Sequence, residues 1–302
     1  MQAIKKAVYS WISQKFMDGC SSYNNLDVRK SCRSKEQARA VFDQGNVPHA
    51  KGLIFFNPFK AHSFAKQHGF PLVIKPNVSG YSRGSYFPIN NYRELWKAIF
   101  LAKIWWPTTV VEQYLKGCNY RVVAIKGELM SVIERYPPTV TGNGALSIEA
   151  LIDEENAVRT AMKLYPTIYP IQKNEQTINF LKKQNLSLDS VPASGEVITL
   201  FYRISLAPGG TVRTIDKSTI PEDNKQLFLN VLEMFDANIL GIDVIFEKGI
   251  EHTYKDQKCI FLEVNSRPYL KMHDYPRFGE KEDLTPYYQK LDQLDISNAD
   301  TY

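Results

Sequence analysis

Three oxygen-bearing side chains in the second half of this 302-residue chain could share one cation. Asp243 lies in the segment GIDVIF, and Glu263 and Asn265 lie two apart in FLEVN. Side chains two apart on a strand face the same way, so pairing of the two segments would bring all three to one face. Two carboxylates and an amide oxygen are hard donors that suit Mg²⁺. The flanking residues Ile242, Val244, Phe261 and Val264 are apolar and predict a buried strand pair. Two carboxylates buried without a cation would be costly. The competing reading is a polar stripe facing solvent.

A second group surrounds Lys75, which ends the apolar run PLVIKP and leads into PNVSGYSRGS. Gly80 and Gly84 let the backbone close over an anion, with amide N–H groups and the Ser79 hydroxyl as donors. The GxxxxGK[ST] order of a Walker loop is absent, and a plain surface hairpin loop is the alternative. Further along, VVEQYL (110–115), followed by Lys116-Gly117, can present backbone groups to a flat base, with Glu112 and Tyr114 beside it. Arg121 and Arg135 fall on opposite arms of the segment 120–138, and arginines neutralise a transferring phosphoryl group or acyl phosphate. His273 in KMHDYP reads more readily as structural than as a substrate contact.

These residues need strands to aim them. PLVIKP (71–76) and TVVEQYL (109–115) are short runs rich in β-branched residues, hence strands. Residues 120–138 predict a hairpin turning at Gly127. Residues 239–248 and 258–265 predict two more strands, and GEVITLFYRISL (195–206) another. Helical spacing marks residues 91–104, 146–166, 177–186 and 221–238, the last with Pro221 at its start. Residues 1–19 predict an amphipathic helix and 20–34 a polar connection. Ser34 opens a helix that Gly45 stops. The sum is a mixed α+β chain with antiparallel strands, not a regular βαβ alternation.

Composition narrows the class. With 44% hydrophobic and 23% charged residues the chain is an ordinary globular one. The net charge of +5 comes without a long Lys/Arg run, so no nucleic acid is expected as partner. No stretch reaches the roughly 20 apolar residues of a membrane span, and no signal peptide is evident, so no membrane is expected either. The four cysteines form no CxxC pair and read as free thiols in a reducing compartment, hence a cytoplasmic expectation.

Taken in order, the strings SKEQARAVFDQGNVPHAKG, FPLVIKPNVSGYSRG, VVEQYLKGCNYRVVAIKGELMSVIERYPP, LGIDVIFEKG and CIFLEVNSRPYLKMHDYP resemble the ATP-grasp family. The likeness is nearest to the ligase domain of cyanophycin synthetase and to the glutathione-synthetase half of the bifunctional bacterial enzyme. The resemblance implies the ATP-grasp fold, with two lobes, each a mostly antiparallel sheet with helices, and nucleotide held between them. It divides the chain into an N-terminal helix and connection (1–34), a small lobe with the phosphate loop (35–119), a large lobe with the metal and substrate site (120–279), and a tail (280–302). It places Lys35 and Lys75, with Ser79, Gly80 and Gly84, on the nucleotide phosphates. Glu112 and Tyr114 would flank the adenine, Asn119 would face the ribose, and Arg121 and Arg135 would face the transferring phosphate. Asp243, Glu263 and Asn265 would hold Mg²⁺ or Mn²⁺.

The implied activity is an ATP-dependent carboxylate–amine ligase working through an acyl phosphate, with amino acids or peptides as substrates. A small-molecule kinase or a non-catalytic nucleotide-binding protein remains the alternative. Asn119 replaces the family's acidic residue, Phe201 an arginine and Ser205 an asparagine. The short stretch before Lys35 raises the expectation of a homo-oligomer, or of a partner subunit that supplies an N-terminal domain.

Overall fold

The computed structural model describes residues 23–33, 35–77 and 84–294, with the side chains of Leu26, Lys30, Arg33, Lys35 and Glu36 left aside. The helix expected over 1–19 and the loop residues Ser79 and Gly80 lie outside the described residues, as does the side chain of Lys35.

The alternating apolar runs build two antiparallel sheets. The first contains β1 (Gly52–Phe55), β2 (Leu72–Pro76), β3 (Tyr86–Ile89) and β4 (Thr109–Gln113) in the order β1-β4-β2-β3. Helices α3 (Pro58–His68) and α4 (Tyr92–Trp105) cover one of its faces. Both helices are capped from their own sequence. Asn57 accepts from Phe59 N ahead of Pro58, and Asn91 accepts from Glu94 N while Glu94 accepts back from Asn90 N. This second arrangement is the reciprocal N-terminal box in which two orphan donors are satisfied together. Ala61, Phe64, Leu95, Ile99 and Ala102 point inward onto Leu72, Ile74 and Val111.

The second sheet has five strands in the order β11-β10-β5-β6-β9. These are β5 (Cys118–Ile125), β6 (Glu128–Tyr136), β9 (Thr211–Thr214), β10 (Ile239–Phe246) and β11 (Cys259–Asn265). The β5–β6 hairpin turns at Gly127, whose φ of 87° is open to glycine, as the sequence predicts. Helix α7 (Glu222–Met234) lays Leu227, Phe228, Val231 and Leu232 on one face of this sheet. The same core takes in Val28 of α1 (Leu26–Arg33) and Ala38 and Phe42 of α2 (Lys35–Gln44). A small ribbon, β7 (Thr139–Thr141) with β8 (Val197–Thr199), carries α5 (Ile148–Ala161) and α6 (Glu175–Lys182) on a core of its own. Two short helices, α8 (Lys271–Asp274) and α9 (Thr285–Asp292), close the described chain.

Two expectations differ from the structure. The connection expected over 20–34 contains α1, because Asn25 caps Val28 N and Val28 finds a place in the core. The strand expected over 195–206 is regular only from Val197 to Thr199. Beyond it, Phe201 and Tyr202 leave the ribbon to pack against Phe180, so their burial comes from an aromatic cluster and not from a ladder.

Candidate functional site

The second sheet presents one face to the helix-covered core and an opposite face rich in polar groups. Ile242 and Val244 of β10 belong to the core, so Asp243 between them points the other way. Its register neighbours are Arg121 on β5 and Glu263 on β11. A bulge after Asp243 lets Val244 pair with Phe261, so Phe261 and Val264 both reach the core while Glu263 and Asn265 share the far face. The expected convergence of Asp243, Glu263 and Asn265 is therefore built into the strand pairing, with Asn265 opposite Gly241. Gly241 is bare for a reason of space: a Cβ there would lie 2.8 Å from Pro268 Cβ and 3.4 Å from the Arg121 guanidinium.

The two arginines of the hairpin meet on Asp243. Arg121 grips both carboxylate oxygens, with Nη2 donating to Oδ2 at 2.9 Å, and Arg135 Nη2 lies 3.3 Å from Oδ1. Arg135 Nε also donates to Asn119 Oδ1 at 2.8 Å across the β5–β6 register pair. Burial alone would raise the Asp243 carboxyl, but Arg121 and Arg135 outweigh it and hold it down at about 2. Burial pulls the Arg135 guanidinium below its ordinary range. Glu263 lies within hydrogen-bonding reach of Asp243. Below them His273 is buried, and Ser131 Oγ lies 2.9 Å from its Nδ1. Burial, then Arg121 and Arg135, push its imidazole down to about 3, so it is neutral across the physiological range.

The first sheet supplies a second charged group from its uncovered face. Leu72 and Ile74 face the helices, so Val73 and Lys75 face away. Glu112, paired with Val73, lies diagonal to Lys75 and forms an ion pair with it. Arg39 of α2 pairs with the other oxygen of the same carboxylate. Gly52 opposite Glu112 makes room, since a Cβ would sit 2.7 Å from Glu112 Cγ and 2.9 Å from Arg39 Nη2. Tyr114, just past β4, lies near-parallel to the ring of Phe87 at 6.0 Å. Gly84 sits against Pro76 and Trp105 with φ 71°.

Arg39 links the two groups. It lines a pocket of about 230 Å³ whose walls also include Ala50, Phe261, Glu263 and Asn265. Lys75, Glu112 and Arg39 form one ion-paired group, and Arg39 also faces the pocket that Glu263 and Asn265 line. Arg39 was missed in the sequence, although it lies four residues after Lys35 and so on the same helical face. The Nδ2 of Asn265 is buried without a hydrogen-bond partner, as is Nε2 of His273.

The donor set fits a hard cation. Among the described residues no three His, Cys, Asp or Glu side chains cluster as a metal group. The set here is two carboxylates and an amide.

The fold agrees with that of known ligases. The chain superposes on a bifunctional glutathione synthetase from Pasteurella multocida with a TM-score of 0.64 and 21% identity, over 89% of this chain and 38% of the other. It superposes on the ATP-grasp ligase PsnB with a TM-score of 0.51 and 12% identity, over 89% and 63%. This chain has the ATP-grasp fold. In sequence this ATP-grasp chain is 31% identical to a cyanophycin synthetase of Geminocystis herdmanii over 259 residues, which is 84% of this chain and 29% of the relative. It is 28% identical to the bifunctional glutathione biosynthesis protein GshAB of Listeria monocytogenes, over 94% and 35%. The chain thus spans about a third of the curated relatives it matches. No family model matches it.

Proposed function

We propose that the chain is an ATP-dependent ligase that joins a carboxylate to an amine. A carboxylate oxygen attacks the γ-phosphorus of ATP, the bond to the bridging oxygen breaks, and ADP leaves. The amine then attacks the acyl carbon, a C–N bond forms, phosphate departs, and the amine's proton passes to phosphate or solvent. The observation that carries this reading is the shared face of Asp243, Glu263 and Asn265, with Arg121 and Arg135 beside it and a pocket between Glu263, Asn265 and Arg39, the partner of the Glu112–Lys75 pair.

In this reading the small lobe is 35–119 and the large lobe 120–279. Lys75, with Lys35, Ser79, Gly80 and Gly84, holds the phosphates. Glu112 and Tyr114 border the base, and Asn119 faces the ribose. Glu263 and Asn265 with Asp243 would hold Mg²⁺, which would supply neutralisation of phosphate charge when bound. Arg121 and Arg135 are already ordered by Asp243, so they meet developing charge without reorganising. Neutral His273 cannot add a further positive charge. Amino acids or peptides are the substrate class. The compartment is the cytoplasm, in keeping with the free thiols Cys32, Cys118 and Cys259.

The test is ADP release from purified protein presented with pairs of carboxylates and amines, with mass analysis of products. Release that needs both partners, and falls by about 10³-fold or more in Glu263→Gln, supports the ligase. ATP consumption at full rate without a carboxylate, or a stable phosphorylated product with no amine consumed, counts against it.

A further inference from the structure

The two helices that cover the first sheet have outer faces that no part of the described chain covers. Their contacts run antiparallel. His62 meets Tyr92 at 4.8 Å and Trp96 at 6.1 Å, Phe59 meets Trp96 at 5.7 Å, and Lys103 lies over the Phe56 ring at 4.9 Å. The inner faces are spent on the sheet, so these side chains form an outward ridge. Phe56, Phe59, Phe100 and Ile104 are 67–70% exposed, and Tyr92 and Trp96 are 40% and 37% exposed. Side chains of this size, at those fractions, leave on the order of 700 Å² of apolar and aromatic surface in sum. That exceeds the few hundred Å² usual on a monomer's largest patch.

The charge on the same two helices is one-sided. Lys60, Lys66, Arg93, Lys97 and Lys103 face a single acid, Glu94, whose carboxylate is already committed to Asn90 N and Asn91. Two copies of this face would set like charges together, which disfavours self-association through it. Protein interfaces are poor in lysine, and four of the five cations here are lysines. Aromatic side chains among lysines instead match a bilayer's interface, where rings settle at headgroup level and lysine stems run along apolar surface with the ammonium at phosphate. Lys103 is spent within the chain, its ammonium beside the Phe55 and Phe56 rings and donating to Phe56 O and Pro107 O at 2.6 Å each, which leaves Arg93 and Lys97 as the exposed cations of α4.

We propose that the outer face of α3 and α4 docks on an anionic lipid surface, with Phe59, Trp96 and Phe100 entering the headgroup layer and Lys97 and Arg93 meeting lipid phosphates. No helix among the described residues is long and apolar enough to cross a membrane, so the contact is peripheral. It leaves the Lys75–Glu112 face of the same sheet open, because that face is the other side of the sheet. The inference does not depend on the ligase reading.

The experiment is co-sedimentation of the full chain with vesicles of phosphatidylcholine alone and of phosphatidylcholine with phosphatidylglycerol, read alongside tryptophan emission. The expected result is binding to the anionic vesicles only, a blue shift, and weakening with added salt. Phe59→Ser with Phe100→Ser should lower the vesicle affinity about tenfold or more, and Arg93→Glu with Lys97→Glu should do the same. All four side chains sit on the exposed face, and circular dichroism confirms that the variants fold. Equal binding to both vesicle types, no binding to either, or a soluble dimer that the Phe59→Ser, Phe100→Ser variant dissolves, would each overturn the proposal.

Discussion

The Asp243 cluster and the Glu112 cluster each tie one carboxylate to two cations, yet they are built to opposite ends. Asp243, Arg121 and Arg135 lie on adjacent strands of one sheet and are nearly sealed from solvent, with side-chain exposures of 5%, 9% and 16%. Glu112 is as buried, and its partners Lys75 and Arg39, at 20% and 17%, are about as exposed as Arg135, but they come from two separate segments, a neighbouring strand and a helix. The first arrangement is part of the frame and, under the ligase reading, also borders the cation and the transferring phosphate. The second is a junction between segments, whose cations can turn to another anion at lower cost. A site that must receive a charged ligand and let it go needs one of each.

The largest break in this contrast is Asp243→Ala. It leaves Arg121 and Arg135 buried with their shared counter-charge gone, and removal of one member of a buried pair costs about 3–5 kcal/mol. Urea denaturation should show that loss, and acid should show its counterpart. The Asp243 carboxyl is held below its unfolded value, so the stability it provides is complete above about pH 4 and disappears as pH falls toward 2. A loss under 1 kcal/mol in Asp243→Ala would mean that the arginines find other partners and that the frame is not electrostatic.

The next effect sharpens the same cluster from beneath. The unfolded chain takes up a proton at His273 below about pH 6.5, while the folded chain, its imidazole pushed down to about 3, does not. The folded state therefore binds fewer protons, and stability falls as pH drops through this window, by about 2 kcal/mol at pH 5. A His273→Gln variant should lose that pH-dependent component while retaining the one at lower pH that belongs to Asp243. Parallel stability–pH curves for the two proteins between pH 7 and 5 would contradict the assignment.

Much of the Asp243 cluster was legible in the sequence, and much of the Glu112 cluster was not. The reason is physical. Asp243, Glu263 and Asn265 sit in strands whose apolar neighbours announce both burial and the period of two, so the shared face follows once the strands pair. Arg121 and Arg135 follow from a hairpin that Gly127 marks. That both arginines would close on Asp243 did not follow, because it depends on β5 lying between β6 and β10, a strand order that no local pattern encodes. Glu112 was read as a hinge residue beside a base. Its pairing with Lys75 needs the diagonal register of β2 and β4, and its pairing with Arg39 needs a helix to reach a sheet 73 residues away in sequence. The short strands β1, β3 and β9, at four residues each, were too brief to carry an alternation of their own.

The smallest effect tests whether the junction differs from the frame at all. Glu112→Ala removes the carboxylate between Lys75 and Arg39, but both cations keep a route to water and need not remain buried and unpaired. The expected loss is about 1 kcal/mol, near the range of exposed ion pairs and well short of the buried case. It should shrink further as salt screens the repulsion left between Lys75 and Arg39. Under the ligase reading Glu112 borders the base, so nucleotide affinity measured by calorimetry should fall while the melting temperature drops only slightly. A loss above 3 kcal/mol would place Glu112 in the frame alongside Asp243. Unchanged nucleotide affinity would instead mean that Glu112 does not border the base and serves only to hold Lys75 and Arg39.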